Sequence, residues 1–429
     1  MQYAPKSKHF FKTVFLKHPA YPPDLITLVL MRFLDTKKIK ILQNSALVGR
    51  VCYLMIFDTI DFEFLKLTGL CRFIPVDQCK RYIFPTLSTE VITNLQEHGL
   101  IKMLSDGKSY KLTKRGRDTL AETNIILAKE ARININKNSY INKLRNAHLN
   151  IVLHVAGINV YYSSARELAG IDCGYMSSLM TRIDTKTLSC AKFLGILKLA
   201  ETAYIPYYIE SDDTWVYPKF EAESIRSQVD DIKDVKDIRI VLVGETLEEL
   251  WDITTKTAKK GKNVNGQTSI GSALEEMGSE HLLIPLGREG VLQLKVMSAF
   301  RYRERIAESI GCVKRNISEL PDCDGFVDKH PCIIALDFNV KRIERALKQV
   351  QRYNKNLVPM LWCFAFQKNT MFKLIQKYFK SKAYVLVIKR YDIEQIFTEL
   401  KTDNGLVRTP IKTEGGDYIA VPKKYDRRY

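Results

Sequence analysis

The 429-residue chain has no Cys-x-x-Cys pair among its nine cysteines and no cluster among its seven histidines. Without closely spaced ligands of that kind, no metal site is expected. The cysteines, at 52, 71, 79, 173, 190, 312, 323, 332 and 363, fall mostly in apolar runs. They read as reduced, buried thiols rather than a disulfide framework. Long hydrophobic runs are also missing. Leu25 to Leu34 spans only ten residues, and Val51 to Ile60 carries Asp58, so neither suits a bilayer crossing. Met1 to His18 is basic and aromatic, without the uninterrupted apolar core of a signal peptide. A soluble, cytoplasmic protein with no membrane partner is expected. Three catalytic signatures are absent: Gly-x-Ser-x-Gly, His-Glu-x-x-His and Gly-x-x-x-x-Gly-Lys-Ser/Thr. Gly261-Lys262-Asn263 lies in a Gly-, Ser-, Thr- and Asn-rich stretch that reads as a loop. No cofactor is expected.

Positive charge is abundant. Lys plus Arg number 66 against 48 Asp plus Glu, a formal +18. Residues 1–150 hold 24 basic and 12 acidic side chains, so most of the excess sits in the first third. Such a field attracts polyanions. It would equally serve solubility, a ribosomal contact or an anionic membrane surface, so it needs structural context.

Thr86 to Leu120 supplies that context. Hydroxyl residues open a helix over 86–98 whose Leu87, Val91 and Leu95 form one apolar stripe, and Gly99 suits its end. Leu100 to Met103 and Tyr110 to Thr113 read as strands joined through Ser105-Asp106-Gly107-Lys108, a strong hairpin signal. Lys114-Arg115-Gly116-Arg117 opens a basic helix. Helix, glycine, charge-tipped ribbon and basic helix is the layout of a winged helix-turn-helix. Thr89, Thr93 and Gln96 would face outward to read base edges. Lys102, Lys108 and Lys111 of the wing, with Lys114, Arg115, Arg117, Lys80 and Arg81, would hold phosphates. Glu90 and Glu97 on the same helix would oppose a nearby backbone, which keeps a protein-pairing role open for the unit.

The remaining chain reads as a multidomain α+β and α/β protein. A basic arm covers 1–44, and the winged-helix domain spans 45–132, with helices expected from Ser45 and from Asp61 as a cap, and a third over Pro75 to Phe84. Residues 118–168 look helical with an Asn-rich break near 134–139. His148 and His154 there read as packed rather than ligating. Strands are expected at Lys192 to Leu199, Ala203 to Glu210, Trp215 to Tyr217 and Ile238 to Gly244, with helices at Phe220 to Ile232 and Thr246 to Ala258. A helix near 288–310 precedes strands at Gly325 to Val327, Cys332 to Asp337, Val358 to Phe366 and Tyr384 to Lys389. Between those strands lie helices Val340 to Tyr353 and Thr370 to Phe379. Alternation of this kind implies a largely buried sheet. The domains would be an α/β nuclease-like region at 140–280, a C-terminal α/β region at 281–400 and a basic tail at 401–429. One sheet or two remains open from sequence.

Helix, three strands, helix, strand is the order of the restriction-endonuclease-like core, which uses a Pro-Asp and an Asp/Glu-x-Lys to hold a divalent cation. Asp322, Asp324 and Asp337 are the best carboxylates, but Asn339 stands where lysine belongs, and neither Glu201 nor Glu221 completes the motif. The motif is incomplete, so no catalytic residue is assigned. Tyr161-Tyr162 and Tyr207-Tyr208 lack the His-hydrophobe-His companion of a nicking relaxase and read as half-buried strand and helix residues.

Several segments carry a family likeness: Asn146-Ala147-His148-Leu149-Asn150 heading a helix, the hairpin Ala203 to Tyr208, Trp215 before a helix, and Val241-Leu242-Val243-Gly244. With the winged-helix layout, these make residues 45–260 resemble the replication-relaxation proteins of plasmids and integrative elements. Gly325 to Lys389 is similar to the C-terminal part of proteins on conjugative elements of Gram-positive bacteria. The resemblance implies a double-stranded-DNA-binding protein of a mobile genetic element, acting in replication initiation or its control. Its nuclease-like region would pair subunits as a homodimer or recruit host replication proteins. The competing expectations are a metal-dependent nuclease or nickase using Asp322, Asp324 and Asp337, and a protein-pairing module.

Overall fold

The computed structural model describes residues 59–121, 138–178, 193–255, 267–277 and 280–398, apart from 83, 106, 211–213, 217, 315–317 and 380, plus 411–412 and 418–419. The basic arm, the helix expected from Ser45, the break at 134–137 and nearly all of the basic tail lie outside these residues. The described residues, Thr59 apart, belong to one unit, Ile60–Tyr429. Among the described residues, no helix is long and apolar enough to cross a membrane.

The unit is a mixed α/β structure with several sheets. It begins with α1 (Thr59–Cys71), β1 (Ile74–Pro75), α2 (Val76–Arg81), a 3-10 turn (Pro85–Leu87), α3 (Thr89–Glu97), β2 (Ile101–Met103), β3 (Ser109–Leu112) and α4 (Lys114–Ala121). Strands β2 and β1 both pair antiparallel with β3, giving the order β1-β3-β2. Asp61 lies within α1 rather than capping it, because its buried carboxylate accepts from Asn94 Nδ2 on α3 at 2.7 Å.

After α5 (Asn138–Val155) come β4 (Cys173–Ser177), β5 (Gly195–Leu199), β6 (Thr202–Tyr208), β7 (Thr214–Val216), α6 (Pro218–Val229) and β8 (Asp237–Gly244). Then follow α7 (Leu247–Thr255), β9 (Gln267–Ser269), α8 (Ile270–Met277) and β10 (His281–Pro285). The main sheet has the order β10-β8-β6-β5-β4, with β6, β8 and β10 parallel and β4 and β5 antiparallel. Ile240 to Val243 are buried, as an inner parallel strand covered on both faces requires. The helix expected to reach 168 stops at Val155, and Gly157 follows at φ +81°. Because β10 pairs with β8, this sheet extends past residue 280.

The last third comprises α9 (Arg288–Ser298), α10 (Tyr302–Ser309), β11 (Gly325–Val327), β12 (His330–Ile334), α11 (Val340–Tyr353), β13 (Met360–Phe364), α12 (Lys368–Tyr378), β14 (Tyr384–Ile388) and α13 (Arg390–Ile396). The single helix expected near 288–310 is two, broken at Arg301, whose φ is +51°. Strands β11 to β14 form a second sheet in that order, parallel except for β11. The middle and last thirds therefore build separate sheets. On α11, Val340, Ile343, Leu347 and Val350 are buried at helical spacing over this second sheet.

Candidate nucleic-acid interface

Helix α3 is capped by Ser88, whose Oγ accepts from Val91 N–H at 3.3 Å. Val91, Ile92 and Leu95 are buried, and Asn94 is tied to Asp61, so the helix is fixed in rotation. Thr89, Thr93 and Gln96 are left exposed at i, i+4 and i+7, with Glu90 and Glu97 exposed beside them. Gly99, at φ +67°, turns the chain into β2.

The β2–β3 register sets Lys102 directly opposite Lys111. Their neighbours Ile101 and Leu112 point into the core, so both lysines lie on the outer face of the ribbon. Leu104 N–H donates to Ser109 O at 2.8 Å and Gly107 N–H to Leu104 O at 3.0 Å, closing the tip where Lys108 is exposed. Asp106 lies outside the described residues. Thr113 Oγ1 donates to Gly99 O at 2.6 Å and accepts from Gly116 N–H at 3.1 Å, so one side chain joins the end of α3 to the start of α4. A Cβ on Gly116 would stand 2.2 Å from Leu100 O, which explains the glycine inside that basic helix. Lys114 and Arg115 are exposed there, and Arg117 is half-buried.

Among the described residues, no carboxylate within ion-pair distance answers Lys80, Lys102, Lys111 or Lys114. Arg81 differs from the rest. Its guanidinium donates to Leu286 O at 3.2 Å and Glu245 at 3.4 Å, and Arg288 Nε donates to Arg81 O at 3.2 Å. It fastens α2 to the carboxyl ends of β8 and β10.

The carboxylates expected for cleavage are held by arginines. Asp322 pairs with Arg345 at 2.9 Å, and Asp324 with Arg342 at 3.2 Å. Asp337 lies 3.6 Å from Arg342 and accepts from Tyr302 OH at 3.0 Å. Burial opposes the charge on Asp337, yet Arg342 and then Arg303 hold its carboxyl below the usual range. Arg345 likewise keeps Asp322 low against the cost of burial. Glu280, before β10, pairs with Arg239 at 3.1 Å and with Arg345, joining the two sheets. Among the described residues, no group of three or more His, Cys, Asp or Glu could hold a metal ion. Glu201, in the β5–β6 turn, pairs with Lys236 at 2.7 Å.

The Asn146 to Asn150 segment is part of the packing. Asn146 Nδ2 donates to Ser178 Oγ and Leu194 O, each at 3.3 Å, and Asn150 Nδ2 donates back to Asn146 O at 2.8 Å. His148 is buried, and burial followed by Arg81 lowers its pKa to about 3. His154 is fully buried against Phe84 and Tyr161, and burial brings it to about 4. Both are packed, neutral imidazoles. Tyr207 and Tyr208 lie on β6, whereas Tyr161 and Tyr162 fall in a loop rather than a helix or strand.

Sequence reasoning missed Lys198, a fully buried lysine on β5 that donates to Ile171 O and Asp234. Its one signal was a charge inside the apolar run Gly195 to Leu199. The seven cysteines among the described residues are all free thiols. No family model, curated protein or solved structure matches this chain.

Proposed function

We propose that α1 to β3 form a winged helix that binds double-stranded DNA, with α3 in the major groove and the β2–β3 ribbon on the backbone. The opposed, unanswered Lys102 and Lys111 carry this reading. Like charges directly across a strand pair are destabilising, and a line of phosphates relieves the repulsion. The exposed row of Thr89, Thr93 and Gln96 supports base reading, while Lys80, Lys108, Lys114, Arg115 and Arg117 suit phosphate contacts. Arg81 is left out of this set. On the resemblance to replication-relaxation proteins, the DNA belongs to a mobile element, and the activity is replication initiation or its control. The order α5-β4-β5-β6-β7-α6-β8 supports a degenerate nuclease-like core, a platform for subunits or host replication proteins.

A mobility-shift titration over a salt series tests this. About six phosphate contacts imply roughly a 10³-fold loss of affinity between 50 and 200 mM salt. Selection from random duplexes should enrich one motif. No retained duplex at low salt defeats the proposal, as does binding indifferent to salt. The rival reading, protein pairing through the same helix, draws on exposed Glu90 and Glu97. It predicts function that survives charge reversal at Lys111, Arg115 and Arg117.

A further inference from the structure

From Arg345 to Tyr391 the chain carries eleven basic side chains and no acidic one. Much of that charge gathers on one surface. By the right-handed crossover rule, α11 and α12 lie on one face of the second sheet, since β12, β13 and β14 are parallel neighbours. The helices pack side by side, with Lys348 Nζ of α11 5.7 Å from the Tyr378 ring of α12. Burial of Val340, Ile343 and Leu347 on one helix, and of Met371, Leu374 and Ile375 on the other, turns the basic positions outward. Lys348, Arg352, Lys368, Lys373 and Lys377 are exposed, and Lys341 is half-buried. Acids answer part of this charge. Glu344 pairs with Lys348 at 2.5 Å and lies 3.8 Å from Lys341, and Asp252 on α7 lies 3.8 Å from Lys373. Glu275 on α8 lines a mostly polar cavity together with Lys341, Lys377 and Tyr378. Glu248 and Glu249, a turn before Asp252, pair with none of these side chains. Among the described residues, Arg352, Lys368 and Lys377 form no ion pair. Aromatic rings are set among the lysines. Tyr378 also has Lys377 5.2 Å from its ring, and Phe372, 42% exposed, has Lys368 at 6.0 Å.

We propose that the outer face of α11 and α12 binds single-stranded nucleic acid, with its lysines and Arg352 on the phosphates and Phe372 stacked on a base. Six basic side chains stand there against Glu344, Asp252 and Glu275, so the face stays positive and suits a polyanion. An exposed ring among cations offers an unstacked base a surface, whereas a duplex keeps its bases stacked inside. Neither helix stands clear of the sheet as a groove-reading helix must, because each is flanked by the other. An acidic protein would need an apolar pocket for an anchoring side chain, and the cavity at this face is mostly polar. An anionic membrane would need a row of apolar side chains to bury, and Phe372 is the one large exposed apolar side chain of α12. The inference does not rest on the reading of α3 as a duplex binder.

The test uses the full chain and a fluorescein-labelled oligothymidylate, followed by anisotropy over a salt series. Saturable binding at low salt is expected. Arg352→Gln, Lys368→Gln and Lys377→Gln together should lower the slope of log affinity against log salt by about two, at roughly 0.7 per phosphate on a single strand. Phe372→Ala should weaken binding about tenfold. Phe372→Trp should keep binding and add a drop in tryptophan emission that the parent chain lacks. All four positions are exposed, and an unchanged unfolding midpoint checks that each variant folds. No saturable binding at low salt overturns the proposal, as does an unchanged slope in the triple variant. Tighter binding of polyglutamate or of phosphatidylglycerol vesicles also overturns it, by giving the face to an acidic protein or a membrane. Lys102→Gln with Lys111→Gln should leave the oligothymidylate slope in place. Loss of that slope in this pair would put the strand on the wing and overturn the proposal. Retention of duplex DNA is read separately, so either reading can fail without the other.

Discussion

The β2–β3 ribbon and the junction between the two large sheets are both rich in charge, and they treat it in opposite ways. At the junction, Arg239, Arg342 and Arg345 are matched by Glu280, Asp322, Asp324 and Asp337. On the ribbon, Lys102 faces Lys111, and among the described residues neither forms an ion pair. Charges answered from within the chain hold the chain together, whereas like charges set opposite each other repel. The acids that sequence reading considered for metal chemistry fall in the first class, and Lys102 and Lys111 fall in the second.

The contrast breaks most forcefully at Arg342. Arg342→Met would leave the buried Asp337 and the half-buried Asp324 beside an apolar side chain, and removing one partner of a buried ion pair typically costs about 3–5 kcal/mol. Denaturant unfolding should show that loss. A stability unchanged within error would mean the junction is not a structural clamp.

On the ribbon, Lys102→Gln with Lys111→Gln should lower the slope of log affinity against log salt by about two. A slope that stays put removes both lysines from the interface.

Acid should separate the regions next. His148 and His154 titrate at about 3 and about 4 in the folded chain, against about 6.5 when unfolded. The unfolded chain therefore binds these protons first. Their contribution is fully present above about pH 6.5 and is lost as the pH falls toward 4. His154→Leu should move the acid-unfolding midpoint to lower pH, and a midpoint that moves up would contradict its buried, neutral state.

The smallest effect is on the ribbon's own stability. Removing the opposed lysines should raise it by a few tenths of a kcal/mol, since like charges across strands repel. A fall of about 1 kcal/mol or more would show that they serve packing instead.

Much of the architecture was legible because the pattern was strong. Helix α11 begins and ends where its apolar spacing does, and Gly99 and Gly107 mark the end of α3 and the hairpin, but the start expected at Thr86 is a 3-10 turn and the helix begins only after Ser88. Strand β10 was not legible. His281-Leu-Leu-Ile-Pro is a five-residue apolar run that periodicity cannot tell from a buried helix segment. Strand β4 was hidden by Gly174, where any Cβ would stand 2.4 Å from the Tyr162 ring, a contact invisible along the chain. The break at Arg301 carried no glycine or proline to announce it. At the candidate site, the exposure of Thr89, Thr93, Gln96, Lys102 and Lys114 was legible from sequence. That Arg81 turns instead to Leu286 and Glu245, more than a hundred positions away, was not.

Local chemistry by itself determined the helices with clear stripes, the capped turn, the hairpin and the concentration of positive charge, because each depends on neighbours within a few residues. Tertiary structure alone decided that Lys102 opposes Lys111, that arginines hold the carboxylates and that β14 ends a sheet. Strand register, ion pairing and sheet edges are set by residues distant in the chain, and no short window of sequence contains them.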